Sequence, residues 1–220
     1  MTPSPTTPVT DLGGAALRVL SVGPMDNNAY LLTAHDGGAQ VLVDAAAEPD
    51  RLLRLAREGT PTGRLDVVVT THRHHDHVGA LAPVVRATGA RTVAGADDAD
   101  AIEEAAGVRV TERLHHGATL VAAPLRLEIV HLRGHTPGSI ALAYREPAGR
   151  AHLFTGDSLF PGGVGSTDRD PARFDRLLAD VTTRLFDRFA DDTVVHPGHG
   201  RPTTLGAERP HLGAWRERGW

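Results

Sequence analysis

Two residue types that carry much of protein chemistry are missing from this chain: it has no cysteine and no lysine. Without cysteine there are no disulfides, no thiolate metal ligands and no cysteine nucleophile, and the redox compartment leaves no mark. Without lysine there is no amine for a Schiff base, and the glycine stretch at 161–165 lacks the partner that a phosphate-binding loop requires. All 23 basic residues are arginine. No apolar run approaches the ~20 residues that cross a bilayer. The first residues have neither the basic start nor the apolar centre of an export signal. A formal charge of −4 gives no general attraction to nucleic acid or an anionic membrane. These absences lead to the expectation of a cytoplasmic protein with a small-molecule substrate, no nucleic-acid partner and no membrane partner. Nothing in the composition specifies an oligomeric state.

A length of 220 residues suits one domain, large enough to bury about 70–75% of the surface its unfolded chain exposes. Residues 1–16, rich in proline, threonine and glycine at their start, are expected to form a flexible leader, and residues 17–220 the folded domain. Strand patterns run over Leu17–Val22, Ala29–Thr33, Gln40–Asp44, Val67–Val69 and Arg91–Ala94, interleaved with helices opening at Pro49 and running over Ala96–Ala106. Strands follow around Val108–Leu114, Leu125–His131, Ser139–Tyr144 and His152–Thr155. A helix from Pro171 to Phe189, a strand at Thr193–His196 and a short terminal helix carrying Leu212 and Trp215 complete the pattern. Strands and helices in this order indicate an α/β protein with two layers of mixed sheet and helices outside.

The most informative stretch is Thr70–Gly79, TTHRHHDHVG, placed between a β-branched run and a helical pattern. It therefore lies at the carboxyl end of a strand, the edge where α/β proteins project several side chains into one crevice. His72 and His74 are two apart in extended chain and can face the same way, while Asp76 and His77 follow where the chain bends into the helix. His75, between them, points away by the same alternation. Imidazole and carboxylate together suit zinc, iron or manganese, and crowding so many titratable groups costs free energy unless a cation offsets it.

Three later turns carry further candidates. GHTPGS presents His135 just before a strand, whereas His131 belongs to the alternating strand Leu127, Ile129, His131 and reads as a strand residue. FTGDSLFPGG places Asp157 just past a strand, and VHPGHG swings His199 out beyond Pro197-Gly198, leaving His196 in a supporting place.

The segment His72–His77 resembles the HxHxDH signature of the metallo-β-lactamase superfamily of hydrolases, and the likeness extends from about residue 17 to the end of the chain. It implies an αβ/βα sandwich. Carried over residue by residue, it assigns one metal to His72, His74 and His135 and a second to Asp76, His77 and His199, with Asp157 bridging. Two divalent ions about 3.7 Å apart repel by roughly 18 kcal/mol at an effective dielectric near 20, so anions must lie between or beside them. All seven positions are filled, which argues against a metal-free descendant of the fold. The implied cofactors are two divalent ions, zinc, iron or manganese, and the implied chemistry is hydrolysis by a metal-bound hydroxide that Asp76 orients, with Asp76 and Asp157 as the catalytic carboxylates. TGDSLFPGG and PGHG look most like the glyoxalase II branch, thioesterases acting on hydroxyacyl thioesters of a small thiol. Only about twenty residues follow His199, too few for the helical domain with which that branch holds glutathione. A mononuclear-iron persulfide dioxygenase, using His72, His135 and Asp157, and a lactonase are the alternatives. The glycine-rich loop from Phe160 to Asp170 reads as a rim over the site, with Asp168, Arg169 and Arg173 as candidate substrate contacts.

Overall fold

The computed structural model describes residues 6–219. Its first sheet has seven strands in chain order: β1 (Val9–Asp11), β2 (Ala15–Val22), β3 (Asn27–Ala34), β4 (Gln40–Val43), β5 (Val67–Thr70), β6 (Arg91–Gly95) and β7 (Glu112–Leu114). β1 to β4 form an antiparallel meander. β4 to β7 run parallel, because helices α1 (Pro49–Gly59), α2 (His75–Val78), α3 (Leu81–Thr88) and α4 (Ala99–Ala106) supply the crossovers. The second sheet takes β8 (Thr119–Ala122), β9 (Leu125–His131), β10 (Ile140–Arg145), β11 (Ala151–Gly156), β14 (Val194–Pro197) and β15 (Thr203–Thr204), in the spatial order β15-β14-β11-β10-β9-β8. A small hairpin, β12 (Leu159–Phe160) with β13 (Gly163–Val164), lies between β11 and helix α5 (Pro171–Val181).

Alternation along each strand builds three apolar layers. Tyr30, Leu32, Val41, Val43, Val67 and Val69 face Leu127, Ile129, Ile140, Leu142 and Phe154 between the sheets. Leu31, Leu42 and Val68, on the opposite face, meet Leu52 and Leu55 of α1, Leu81 and Val84 of α3 and Ile102 of α4. Val130, Leu153 and Val195 on the far face of the second sheet receive Phe174, Leu177, Leu178 and Val181 of α5, a helical i, i+3, i+4, i+7 stripe. The architecture is the two-sheet sandwich with outer helices that the sequence indicates. No helix among the described residues is long and apolar enough to cross a membrane.

Four sequence expectations change. The sequence suggests a flexible leader over residues 1–16, yet Val9–Asp11 pairs with Ala16–Arg18, Leu12 is buried in the core and Ala15 already opens β2. The unpaired edge of β2 offers backbone partners that a short segment with a turn at Gly13 satisfies; residues 1–5 lie outside the described residues. The helix expected to Phe189 is α-helical only to Val181 and then widens into a π-turn, Thr182–Phe186. Here the Thr182 and Thr183 hydroxyls donate back to the carbonyls of Leu178 and Ala179. Of the strand expected over Val108–Leu114 only Glu112–Leu114 forms, and β8 is a strand the pattern reading passed over. The terminal helix exists as α7 (Leu212–Arg218), with Trp215 buried against Phe186.

The carboxyl edges of the two sheets meet where Gly95, ending β6, touches the turn before β10. A Cβ on Gly95 would lie 2.1 Å from the Gly138 carbonyl oxygen. Gly95→Ala is therefore expected to cost about 2–3 kcal/mol through overpacking, lowering the melting temperature by about 4–12 °C. Gly213→Ala, in open space on α7, is expected to be neutral or stabilising by under about 1 kcal/mol. Scanning calorimetry on the two variants checks this, and equal melting temperatures would remove the close-approach argument.

Candidate metal centre

The seven residues singled out in sequence converge at that edge. β5 delivers Thr70 and Thr71. The extended chain through His72–His74 follows, and the backbone turns into α2 to bring Asp76 and His77 around. His135 arrives on the turn before β10, Asp157 just after β11 and His199 just after β14. His72 Nε2 lies 3.1 Å from His74 Nδ1 and 3.3 Å from His135 Nε2. Donors set on a tetrahedron about 2.05 Å from an ion are separated by roughly 3.3 Å, so this spacing fits a shared cation. A second group forms where Asp76 Oδ2 stands 3.5 Å from His77 Nε2 and 3.3 Å from His199 Nε2. Asp157 reaches both groups, with Oδ1 3.4 Å from His77 Nε2 and Oδ2 3.4 Å from His199 Nε2 and 3.8 Å from His135 Nε2. His77 Nε2 and Asp157 Oδ1 are buried without a hydrogen bond, as donors reserved for a metal would be. Gly198 keeps this space open, since a Cβ there would sit 2.1 Å from Asp157 Oδ1.

Partners on the opposite ring nitrogen decide which atom each histidine presents. The Thr71 hydroxyl donates to Asp44 Oδ2 at 2.8 Å, so it accepts from His72 Nδ1 at 3.0 Å and leaves His72 Nε2 with its lone pair. His77 Nδ1 donates to Asp44 Oδ2 at 2.8 Å, His135 Nδ1 to the Ser166 carbonyl at 2.7 Å and His199 Nδ1 to the Met25 carbonyl at 2.8 Å. Asn27 donates to Asp76 Oδ2 at 2.8 Å and holds that carboxylate toward His199.

The cluster divides electrostatically. Burial holds His72, His74 and His135 below the usual imidazole value, and the neighbouring rings reinforce this for His72 and His74; all three are neutral donors. Burial also opposes charge on His77, but Asp44 and Asp157 outweigh it and raise its pKa to about 10. The hydrogen bond with Asp157 raises His199. Burial works against ionisation of Asp157 and Asp76 as well, yet His199 and His77 bring Asp157 far below the usual carboxylate range, and Asn27 with His77 lowers Asp76. Two carboxylates thus draw positive charge onto this half of the site, and a cation would take over the role of those protons.

The remaining candidates separate cleanly. His75 is exposed, as its alternation implies. His131 Nε2 bonds the Pro137 carbonyl at 2.8 Å and stays outside the cluster. His196 is buried, stacked on Phe154 and bonded to His152 Nδ1 at 3.0 Å, and it supports β14 without reaching the centre. A cleft of about 770 Å³ is walled by Val164–Thr167, Arg169, Pro171 and Gly219; none of the seven donors lines it, and Ser166, whose carbonyl receives His135 Nδ1, links it to the centre. Arg169 lines it, whereas Arg173, read in sequence as a candidate substrate contact, is hydrogen-bonded to the backbone of Gly134 and His135 and to Asp168. Three residues were missed. Asp44 orients His77 and Thr71, Asn27 orients Asp76, and the buried Asp98 accepts from Arg73 N, Gly138 N and Thr136 Oγ1, tying two ligand-bearing loops together. Asp44 had a usable signal, an acidic residue at the carboxyl end of a buried strand on the histidine edge. Asp98, inside the acidic run 97–100, had none.

Asp157→Ala is expected to lose metal and nearly all turnover, and Asp44→Asn to weaken metal binding by about 10–100-fold. His131→Ala and His75→Ala should stay within about tenfold of the parent activity. Metal content by elemental analysis beside a turnover assay reads all four, and a His131 variant as damaged as Asp157→Ala would make His131 a ligand in place of His135.

The chain matches the family profile described as the metallo-β-lactamase superfamily over residues 22–199. It is 28% identical over 208 residues to a Haemophilus influenzae protein named hydroxyacylglutathione hydrolase GloC, covering 88% of this chain and 94% of that one. It is 38% identical over 176 residues to a hydroxyacylglutathione hydrolase of Anaeromyxobacter dehalogenans, covering 79% of this chain and 61% of that protein's length. Among solved structures, TTHA1623 in a di-iron-bound form superposes with a TM-score of 0.70 at 34% identity, over 87% of this chain and 96% of that one. With the donor set, its tautomers and the sandwich in agreement, the chain belongs to the metallo-β-lactamase superfamily of metallo-hydrolases.

Proposed function

We propose that this metallo-hydrolase cleaves hydroxyacyl or acyl thioesters of a small thiol at a centre of two divalent ions. The observation that carries the reading is the pair of donor clusters, His72, His74 and His135 beside Asp76, His77 and His199, with Asp157 within 3.8 Å of histidine nitrogens in each. Seven nitrogen and oxygen ligands exceed what one ion of zinc, iron or manganese uses. The name of the Haemophilus relative, a hydroxyacylglutathione hydrolase matched over 94% of its length, supports a thioesterase. On this reading the partner is a small molecule and the compartment the cytoplasm.

When bound, such ions supply Lewis acidity and make hydroxide available near neutral pH, the pKa of coordinated water falling from about 15.7 toward ~7. The chain's own residues do the rest. Asp76, kept ionised and aimed by Asn27, accepts a hydrogen bond from the attacking water and so orients it. Asp157 keeps its charge between the two clusters. The cleft beside Ser166 and Arg169 is the space this reading gives to the thiol arm, linked to the centre through the Ser166 carbonyl that receives His135 Nδ1.

Two outcomes follow. Because His77 is charged below about 10 and must be neutral to ligate, metal uptake at pH 7–8 is expected to release protons, and affinity to rise with pH in that range. Calorimetry in buffers of different ionisation enthalpy counts the protons; none released would show that His77 is already neutral before metal arrives, against the pull of Asp44 and Asp157. The second outcome comes from anaerobically prepared protein reconstituted separately with iron and with zinc. Both forms are expected to bind close to two equivalents and to cleave S-lactoyl or simple acyl thioesters without oxygen. Oxygen uptake with a thiol persulfide in the iron form alone, with no thioester turnover in either form, would replace this reading with the mononuclear-iron dioxygenase.

A further inference from the structure

Among the candidate metal ligands, His135 has a backbone held directly by side chains of the outer helix α5. His72, His74 and His77 ride on β5 and the start of α2, and His199 follows β14 directly. His135 sits on a turn that α5 grips at two points. Near its carboxyl end, Asp180 accepts from Arg133 N at 3.0 Å and from Arg133 Nε and Nη2 at 2.8 Å each. From its first turn, Arg173 donates through Nε to the Gly134 carbonyl at 2.8 Å and through Nη2 to the His135 carbonyl at 2.6 Å. The third edge of the same guanidinium donates through Nη1 to Asp168 Oδ2 at 2.6 Å. Asp168 belongs to the segment whose Ser166 carbonyl receives His135 Nδ1. The contacts close a ring: imidazole to Ser166, along the chain to Asp168, across to Arg173 and back to the His135 backbone.

We propose that Arg173 is a positioning residue that sets the metal affinity of the cluster His72, His74 and His135 by fixing the backbone of Gly134 and His135, and that it does not bind substrate. A planar fork captures two successive carbonyls in one orientation, which a point-charge ammonium cannot reproduce. Three of the five N–H groups of the guanidinium are committed in this way. Asp168 supplies the counter-charge and keeps the fork turned toward the turn. The inference rests on the metal-centre reading, not on the identity of the substrate.

The test is zinc competition against a chromogenic chelator on the full-length protein, with the visible spectrum of the cobalt-loaded form and the split between kcat and KM as further readouts. Arg173→Met keeps the apolar stem and removes the donors. It is expected to weaken one zinc step by about 10–100-fold and leave the other within about twofold of the parent. The weakened step should coincide with the one lost in His74→Ala, and the cobalt spectrum should change in its d–d region. Arg173→Lys should recover only part of the loss, and Asp168→Asn should show a smaller loss of the same step. At saturating metal, kcat should return toward the parent value with KM within about threefold. Unchanged zinc affinities in Arg173→Met together with a raised KM would overturn the proposal in favour of a substrate contact. Equal weakening of both steps with a lowered melting temperature would also overturn it, reducing Arg173 to general support of the fold. If Arg173→Met does not fold, Arg173→Lys and Asp168→Asn decide by the same zinc measurement, and parent-like affinity in both rejects the idea. The competition uses no substrate, so a parent protein that binds metal but cleaves no thioester sinks the thioesterase reading alone. If the parent binds a single zinc, the comparison is made on that one step, and the two-ion centre falls independently.

Discussion

Asp157 is the constraint around which the centre is arranged. It is one carboxylate, largely buried, within 3.8 Å of histidine nitrogens that arrive from three separate segments. A carboxylate so placed is tolerable only if positive charge stands beside it, and its neighbours respond accordingly, His77 and His199 being drawn toward the charged form. The other donors, three neutral imidazoles a little over 3 Å apart, form a second pocket of lone pairs. Positive charge shared between the two pockets is what makes the assembly electrostatically sound.

Holding that assembly is the task of the surrounding layers, and buried carboxylates do much of it. Asp44, at the end of β4, fixes both His77 and the Thr71 backbone, so the metal loop is tied to its own sheet. Asp98, just before α4, receives backbone or hydroxyl groups from the His72 loop and from the His135 turn, so the two sheets' loops are tied to each other. Helix α5 grips the His135 turn from outside through Arg173 and Asp180. The hydrogen bond between Asn28 N and the Gly198 carbonyl, at 2.7 Å, and that between Gly198 N and the Gly156 carbonyl, at 2.8 Å, bring the His199 loop against both sheets. Catalytic geometry tolerates little displacement, and ligands contributed by loops of two sheets need this cross-bracing more than ligands on one strand would.

The legibility of these parts in the sequence followed their range of interaction. His72, His74, Asp76 and His77 were visible because their spacing is local: an extended chain bending into a helix presents them together whatever the rest of the molecule does. His135, Asp157 and His199 were visible as residues at turns beside strands, and resemblance to a known family joined them to the first four. The three apolar layers were visible in strand alternation and in the stripe on α5. The ordered start at Val9, the π-turn after Val181 and strand β8 were not, because they depend on an open sheet edge, on two hydroxyls bonding backward and on a hairpin partner.

By itself, the sequence determined the chemistry on offer: imidazole and carboxylate donors with no thiol and no amine, at the carboxyl edge of a buried strand in an α/β chain. Only the tertiary structure decided how those donors are used. It showed which ring nitrogen each histidine presents, since that depends on Asp44, Ser166, Met25 and Thr71 standing on the far side of each ring. It also showed Arg173 bonded to the backbone of the His135 turn. The physical reason is the same in each case: a side chain's type sets which bonds it is able to make, and the packing of distant segments sets which partner comes within 3 Å.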